Sequence, residues 1–437
     1  MSNIKKLLEG VEVEWKPLAY SEYGVAELSR GRVMSKEYLI NNAGEYPVYS
    51  SQTANNGEIG KIRTFDYDGE YVTWTTDGAN AGTVFHRTEK FSITNVCGLI
   101  RIKNTKVLNY KFLFYWLSIE AKKYVYSGMG NPKLMSNQIA KIPIPIPPLE
   151  TQQEIVRILD SFSMLTAELQ AELQARKSQY EYYRNQLLAY PMEESDQSSL
   201  RSNRSATSIQ NSDNPTRQLS ISNPHTGNSV LQPWGKVEWN TLGEIFNIKN
   251  GYTPSKSNQK YWENGTIPWF RMEDIRENGR VLNKSIQYVN SCAIKGGKLF
   301  PANSIIVATS ATIGEHALIT VPFLSNQRFT NLSLKKEYTN KFIIKFLFYY
   351  GFVLDEWCKN NITVGNFAGV DMIGFKKFLI PIPPLEEQER IVSILDKFDT
   401  LTTSLTEGLP KEIELRQKQY EYYRDMLLSF PKNNIKA

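Results

Sequence analysis

A chain of 437 residues with 41% hydrophobic and 12% aromatic content can bury several cores, which excludes a disordered or fibrous protein and leaves room for two or three domains. The formal charge of +6 is unevenly placed: residues 1–150 carry a net +3 and residues 234–385 a net +7, while the stretches after them are slightly acidic. The most apolar run, Phe342 to Leu354, contains Lys345 and is too short to span a bilayer, so no membrane span is expected.

Residues 1–10 read as a short amphipathic lead-in. Val13-Glu14-Trp15 with Leu18 opens a globular segment, and Val237-Glu238-Trp239 with Leu242 opens another. In the first, Tyr71-Val72-Thr73-Trp74-Thr75 is a β-rich run set among Gly, Asn and Asp, and Tyr110 to Tyr124 is helical in pattern. Ser304-Ile305-Ile306-Val307-Ala308 and Asn340 to Trp357 play the same parts in the second. Each segment, 1–147 and 234–383, reads as a small α+β domain with a twisted, partly closed sheet.

A long helix follows each domain. Ile144 to Glu150 reads I-P-I-P-P-L-E, E-I-V-R-I-L-D comes next, and Gln179 to Arg184 closes with Q-Y-E-Y-Y-R. Ile380 to Glu386, then R-I-V-S-I-L-D, then Gln419 to Arg424 repeat the series. The offset climbs along the chain, to 236 at Ile155 and Ile391 and 240 at Gln179 and Gln419. One unit, a domain plus a rod, has therefore been duplicated whole, with insertions in the second copy. The prolines at 147, 148, 383 and 384 stop the preceding strand and set φ for a first helical turn. Apolar residues then recur mostly at threes and fours: Ile155, Leu159, Phe162, Leu165, Leu169, Tyr180, Tyr183 and Leu187 in the first rod (148–190), and Ile391, Leu395, Phe398, Leu401, Leu405, Tyr420, Tyr423 and Leu427 in the second (384–437). About forty residues make a rod of ~60 Å. Each seam needs a partner. The other copy is the simplest one, giving an antiparallel coiled coil; folding back on its own domain ranks second. Four extra residues near Glu407-Gly408-Leu409-Pro410 place a helix end and a new first turn in the second rod, so the first is expected continuous and the second broken. Residues 191–233, with ten serines, five asparagines and no aromatic residue, read as a flexible linker.

No catalytic constellation is legible. Phosphate-binding glycine motifs are absent, and the three histidines (His86, His225, His316) and three cysteines (Cys97, Cys292, Cys358) lack metal-ligand spacing. Separated cysteines behind a Met-Ser-Asn-Ile-Lys-Lys start without a signal peptide predict a reduced, cytoplasmic protein. Binding is better supported. Residues able to read base edges or hold phosphates gather after the short strands: Trp74, Thr75, Thr76, Asp77 and Asn80, with Asn131 and Lys133, in the first unit, and Thr309, Ser310, Thr312, His316, Gln327, Arg328 and Asn366 in the second. Asn, Thr and Gly are equally ordinary turn formers.

The duplicated I-P-I-P-P-L-E-x-Q start, the I-V-x-I-L-D-x-F run and the Q-Y-E-Y-Y-R-x-x-L-L end resemble the specificity subunit of Type I restriction-modification enzymes. Trp74 to Gly82 and Gly251-Tyr252-Thr253-Pro254 through Ile267-Pro268-Trp269 look like that family's target-recognition domains. The resemblance implies an α+β fold of two tandemly duplicated recognition domains separated by two long paired helices. It further implies that each domain reads half of a bipartite, asymmetric site in double-stranded DNA and that the helices fix the gap. Two methyltransferase subunits using S-adenosylmethionine on adenine would dock on the chain, and two restriction subunits using ATP and Mg would join them. The chain itself would bind no cofactor or metal and have no catalytic residue. A stand-alone DNA-binding regulator and a coiled-coil scaffold for proteins are the alternatives.

Overall fold

The structure of the protein, a computed structural model, describes residues 7–128, 130–190, 237–363, 368–404 and 406–431. The expected linker at 191–233 and the positions of Asn366 and Leu405 lie outside them. Two compact units are present, one formed by residues 1–170 with 413–437 and the other by 171–412. The sequence places a boundary at each end of a rod, whereas the units meet their limits within the rods.

Both units contain one antiparallel sheet core. In the first its order is Ala26–Arg30, Cys97–Ile102, Tyr71–Thr75, Val84–Arg87; in the second it is Phe246–Asn250, Phe329–Leu334, Ser304–Ala308, His316–Ile319. The second sheet gains a short parallel edge strand, Val281–Leu282. The two β-rich runs of the sequence are thus the interior strands, and Tyr71–Thr75 and Ser304–Ala308 are buried at every position. Helices Tyr110–Glu120 and Ile344–Asn360 cover these sheets with continuous aromatic faces.

A proline-rich strand closes each domain. Pro143–Ile146 pairs antiparallel with Glu14–Pro17, and Leu379–Ile382 with Glu238–Thr241. These are two-stranded ribbons, where an imino residue removes no interior ladder bond. The rod helix then starts in the same way twice. Buried Gln152 donates its amide to the carbonyls of Val107 and Pro147, both at 2.8 Å, and accepts from the Asn109 backbone N–H at 2.9 Å. Gln388 donates to Lys341 and Pro383 at 2.8 Å and accepts from Ile343 at 2.8 Å. Each amide ties the Pro-Pro corner to the loop before the covering helix, and it satisfies carbonyls that would otherwise be buried unpaired. About two turns further on, Asp160 receives Lys111 at 2.6 Å and the Tyr115 hydroxyl at 2.7 Å, while Asp396 receives Lys345 and Tyr349, both at 2.6 Å. Lys and Tyr four apart in K-F-L-F-Y lie on one helix face, which explains why the motif recurs whole. Burial, followed by the hydrogen bond to the aspartate, pushes both tyrosine hydroxyls well above their ordinary range.

The first rod is one helix, Leu149–Leu187. The second is two, Leu385–Thr403 and Gly408–Leu427, as the Gly-Pro signal predicts. Gly408 sits at φ +74°, and a Cβ there would come within 2.5 Å of the Thr400 carbonyl.

In the first unit, Ile155 and Leu159 share a core with Leu427, Leu428 and Phe430, and Phe162 stacks on Tyr423 at 5.3 Å. In the second, Tyr180 and Leu187 share a core with Ile391 and Leu395, and Phe398 stacks on Tyr183 at 5.7 Å. Phe162 and Phe398 are equivalent in the two copies, as are Tyr183 and Tyr423, so the same aromatic pair is made reciprocally. Position rises in one helix as it falls in the other. Both sequence readings of the seam therefore hold in part: each rod starts on its own domain and ends on the core of the other. The seam is fully buried at Ile155, Leu159, Ile391 and Leu395, whereas Leu165, Leu169 and Leu401 further along are half-buried and Tyr183 is 37% exposed.

Candidate nucleic-acid interface

The segment after strand Tyr71–Thr75 is folded by its own threonines. Thr75 Oγ1 donates to the Asn80 carbonyl and accepts from the Thr83 N–H at 3.0 Å. Thr76 Oγ1 donates to the Val96 carbonyl at 2.9 Å and accepts from Arg30 at 3.1 Å. The Trp74 indole N–H donates to the Leu134 carbonyl at 2.9 Å, and its ring lies so close to Gly98 that a Cβ there would stand 2.2 Å from it. All three side chains are fully buried. They are corrected here from base readers to framework: a group with no accessible surface and its polar atoms already paired has nothing left to offer a base edge. What they position is exposed. Asn80 stands at the tip of the turn, and the Gly78 N–H donates to the Pro132 carbonyl at 3.0 Å, which brings Asn131 and Lys133 to the same edge. Half-buried Asp77 lies between them, with Oδ1 lacking a partner among the described residues.

The second unit divides the same way. Thr309 is buried and paired with Thr330 at 2.8 Å. His316 is fully buried in the sheet, with Nδ1 2.6 Å from Asp355 and edges against Phe348 and Phe352 at 5.1 and 4.7 Å. Both are corrected to core positions for the same reason. Ser310 and Thr312 remain half-buried in the turn, where Ser310 bridges to Gly369, just as Asp77 bridges to Lys133.

Gln327 and Arg328 are exposed, and they line a cleft of about 590 Å³. Its walls are Trp262 and Trp269, edge to face at 5.1 Å, with indole N–H groups fixed on the Ser255 and Tyr252 carbonyls at 3.0 Å. Arg271 lies over Trp269 at 5.6 Å, and Lys256 stands at the rim. Below them, buried Asp274 accepts from the backbone N–H of Arg271 at 2.7 Å and of Ile286 at 2.6 Å. Burial pushes this carboxyl up, against the pull of those two N–H donors. Thr253 donates to Gln327 Oε1, which leaves the amide nitrogen of Gln327 as its remaining donor. The sequence reading missed Arg271, Trp262 and Lys256; the only local signal was the short run Pro268-Trp269-Phe270-Arg271 followed by a capping Asp274. Among the described residues no group of three or more His, Cys, Asp or Glu could hold a metal ion, and no helix is long and apolar enough to cross a membrane.

Each half of this chain matches one family model, the Type I restriction modification DNA specificity domain, at residues 13–176 and 236–415. The EcoR124I/EcoR124II specificity subunit of Escherichia coli is 36% identical over 453 residues, covering 99% of this chain and 98% of that protein. The chain belongs to the Type I specificity family. The EcoprrI specificity subunit of Escherichia coli is 60% identical over 209 residues, a match that spans 46% of this chain and 52% of that protein. A crystal structure of a Type I restriction-modification S subunit from M. genitalium shares the fold at a TM-score of 0.53 and 15% identity, covering 98% of each chain. Another solved structure, from work on assembly and conformational transition of the type I R-M system, matches at a TM-score of 0.55 and 17% identity, covering 95% of this chain and 97% of that chain. For this specificity-family chain, the two matched segments span the two sheet domains and end within the rods, at residues 176 and 415.

Proposed function

We propose that this chain is the addressing component of a Type I system: each domain reads one half of a bipartite, asymmetric site in double-stranded DNA, and the rods set the gap. The observation that carries this is a scaffold kept in duplicate beneath recognition edges that have diverged. Gln152 and Gln388, and Asp160 and Asp396, make the same bonds in both units, whereas the bridged edge that carries Asp77 and Lys133 in one carries Ser310 and Gly369 in the other. Identical scaffolds with different edges suit a protein that reads two different half-sites. Methylation on adenine with S-adenosylmethionine, and cleavage driven by ATP and Mg, belong in this reading to two methyltransferase and two restriction subunits, and this chain binds no cofactor.

The duplicated end of the rods suits a partner present in two copies. Tyr182 and Tyr422, the same position of Q-Y-E-Y-Y-R, are 61% and 57% exposed although each leans on the seam tyrosine beside it. A large aromatic left outside twice is a natural anchor for a protein interface. The chain with Tyr182→Ala and Tyr422→Ala together should keep its thermal stability yet bind the methyltransferase subunit at least tenfold more weakly by calorimetry. Unchanged affinity would move the docking surface elsewhere. The reading as a whole is tested by DNA binding of the chain alone and with the methyltransferase subunit. Site-specific binding that tightens with the partner is expected; a protein scaffold would bind DNA in neither state, and a stand-alone regulator equally in both.

A further inference from the structure

We propose that Arg271 reads a guanine in the half-site of the second domain, an assignment that rests on the function proposed above. A base-reading arginine must be held still while its donor edge stays free, and Arg271 meets both conditions. Its backbone is pinned by buried Asp274 at 2.7 Å and its guanidinium is laid over Trp269, itself only 3% exposed. The side chain is 29% exposed into the cleft, with two carboxylates near it: Glu273, 3.9 Å from Nε, and Asp274, which is already engaged by two backbone N–H donors. Arg271 Nε is buried and has no hydrogen-bond acceptor among the described residues. Nε itself is out of a ligand's reach, so the donors offered to the cleft are the terminal Nη groups, which no hydrogen bond among the described residues occupies. The O6 and N7 of guanine supply two acceptors, spaced for the fork of a guanidinium.

The neighbours fit this assignment. Arg328 and Lys256 stand on the exposed rim, where cations meet phosphates, and the Gln327 amide nitrogen is a further donor beside the same cleft. The two tryptophans give the cleft fixed walls, so it need not be organised by the ligand.

The test is genome-wide methylation mapping in a methylation-free host that expresses the full chain with its methyltransferase subunit, as wild type, Arg271→Ala and Arg271→Lys. The wild-type motif should contain a guanine, on either strand, in the second domain's half. In both variants discrimination at that one position should fall about 5- to 150-fold, the range set by one bidentate contact, while the first half-site stays intact. Lysine keeps the charge but loses the planar fork and donates to O6 and N7 only as a point charge, so a loss in Arg271→Ala that is uniform across sequences, with Arg271→Lys at wild type, would assign the side chain to phosphate and overturn the proposal. An unchanged motif in Arg271→Ala, or a half-site without guanine, would overturn it too. Should Arg271→Ala fail to assemble, Arg271→Gln, neutral and matched to adenine rather than guanine, decides by the same criterion. A wild-type complex with no bipartite motif would bring down the parent reading, and this one with it.

Discussion

Trp74→Ala should destabilise the first unit by about 3–5 kcal/mol, the range for truncating a buried large aromatic to alanine. Trp74 is fully buried in an interior strand, its ring covers Gly98, and its indole N–H is the donor to the Leu134 carbonyl. Truncation leaves a cavity between sheet and covering helix and a buried carbonyl without its partner. Trp74→Phe retains most of the packing and should cost less, chiefly the lost hydrogen bond. Asn80→Ala and Lys133→Ala, on the exposed edge, should shift stability by no more than about 0.5 kcal/mol while weakening DNA binding. Urea denaturation of the four variants checks the order. Wild-type stability in Trp74→Ala with DNA binding lost would return Trp74 to the role of base reader.

Four residues inserted into the first rod between Leu169 and Leu173 should widen the gap between half-sites by nearly two base pairs. The insertion adds about one helical turn and ~6 Å of rise, against ~3.4 Å per base pair of DNA. It rotates the seam by only about 40°, and the half-buried seam positions there have room to absorb that. Two residues would instead turn the apolar stripe away from its partner and should abolish assembly. The break between Thr403 and Gly408 in the other copy is the natural place where added length could be taken up locally. Methylation mapping of the four-residue variant reads the spacing directly. An unchanged gap between intact half-sites would leave the rods as a docking platform.

What the sequence made legible is what duplication and periodicity write locally. The Pro-Pro entry, the seam from Ile155 to Leu187 and the break at Gly408 follow from short-range rules, and each appears twice or differs between copies in an interpretable way. The interior strands Tyr71–Thr75 and Ser304–Ala308 were legible from β-branched runs. Burial of single polar residues was not, because it is decided by distant partners. Thr76 finds Val96, His316 finds Asp355, and Trp74 finds Leu134, each across 20 residues or more. Such residues look like recognition loops in one dimension and are cores in three. Gln152 and Gln388 show the converse: their recurrence was visible in the I-P-I-P-P-L-E-x-Q motif, yet their role depends on the loops at Val107 and Lys341. Arg271 escaped because its signal is a stack on Trp269 and a capped backbone, neither of which has a sequence period.

The central claim, two independent readers on one duplicated scaffold, is met most directly by a domain exchange. Residues 11–143 are replaced by the first domain of another family member, the chimera is expressed with the methyltransferase subunit, and methylated adenines are mapped across the genome. One half of the motif should change to that of the donor, while the other half and the gap stay as in the wild type. A motif altered in both halves, with the complex intact, would contradict independent reading.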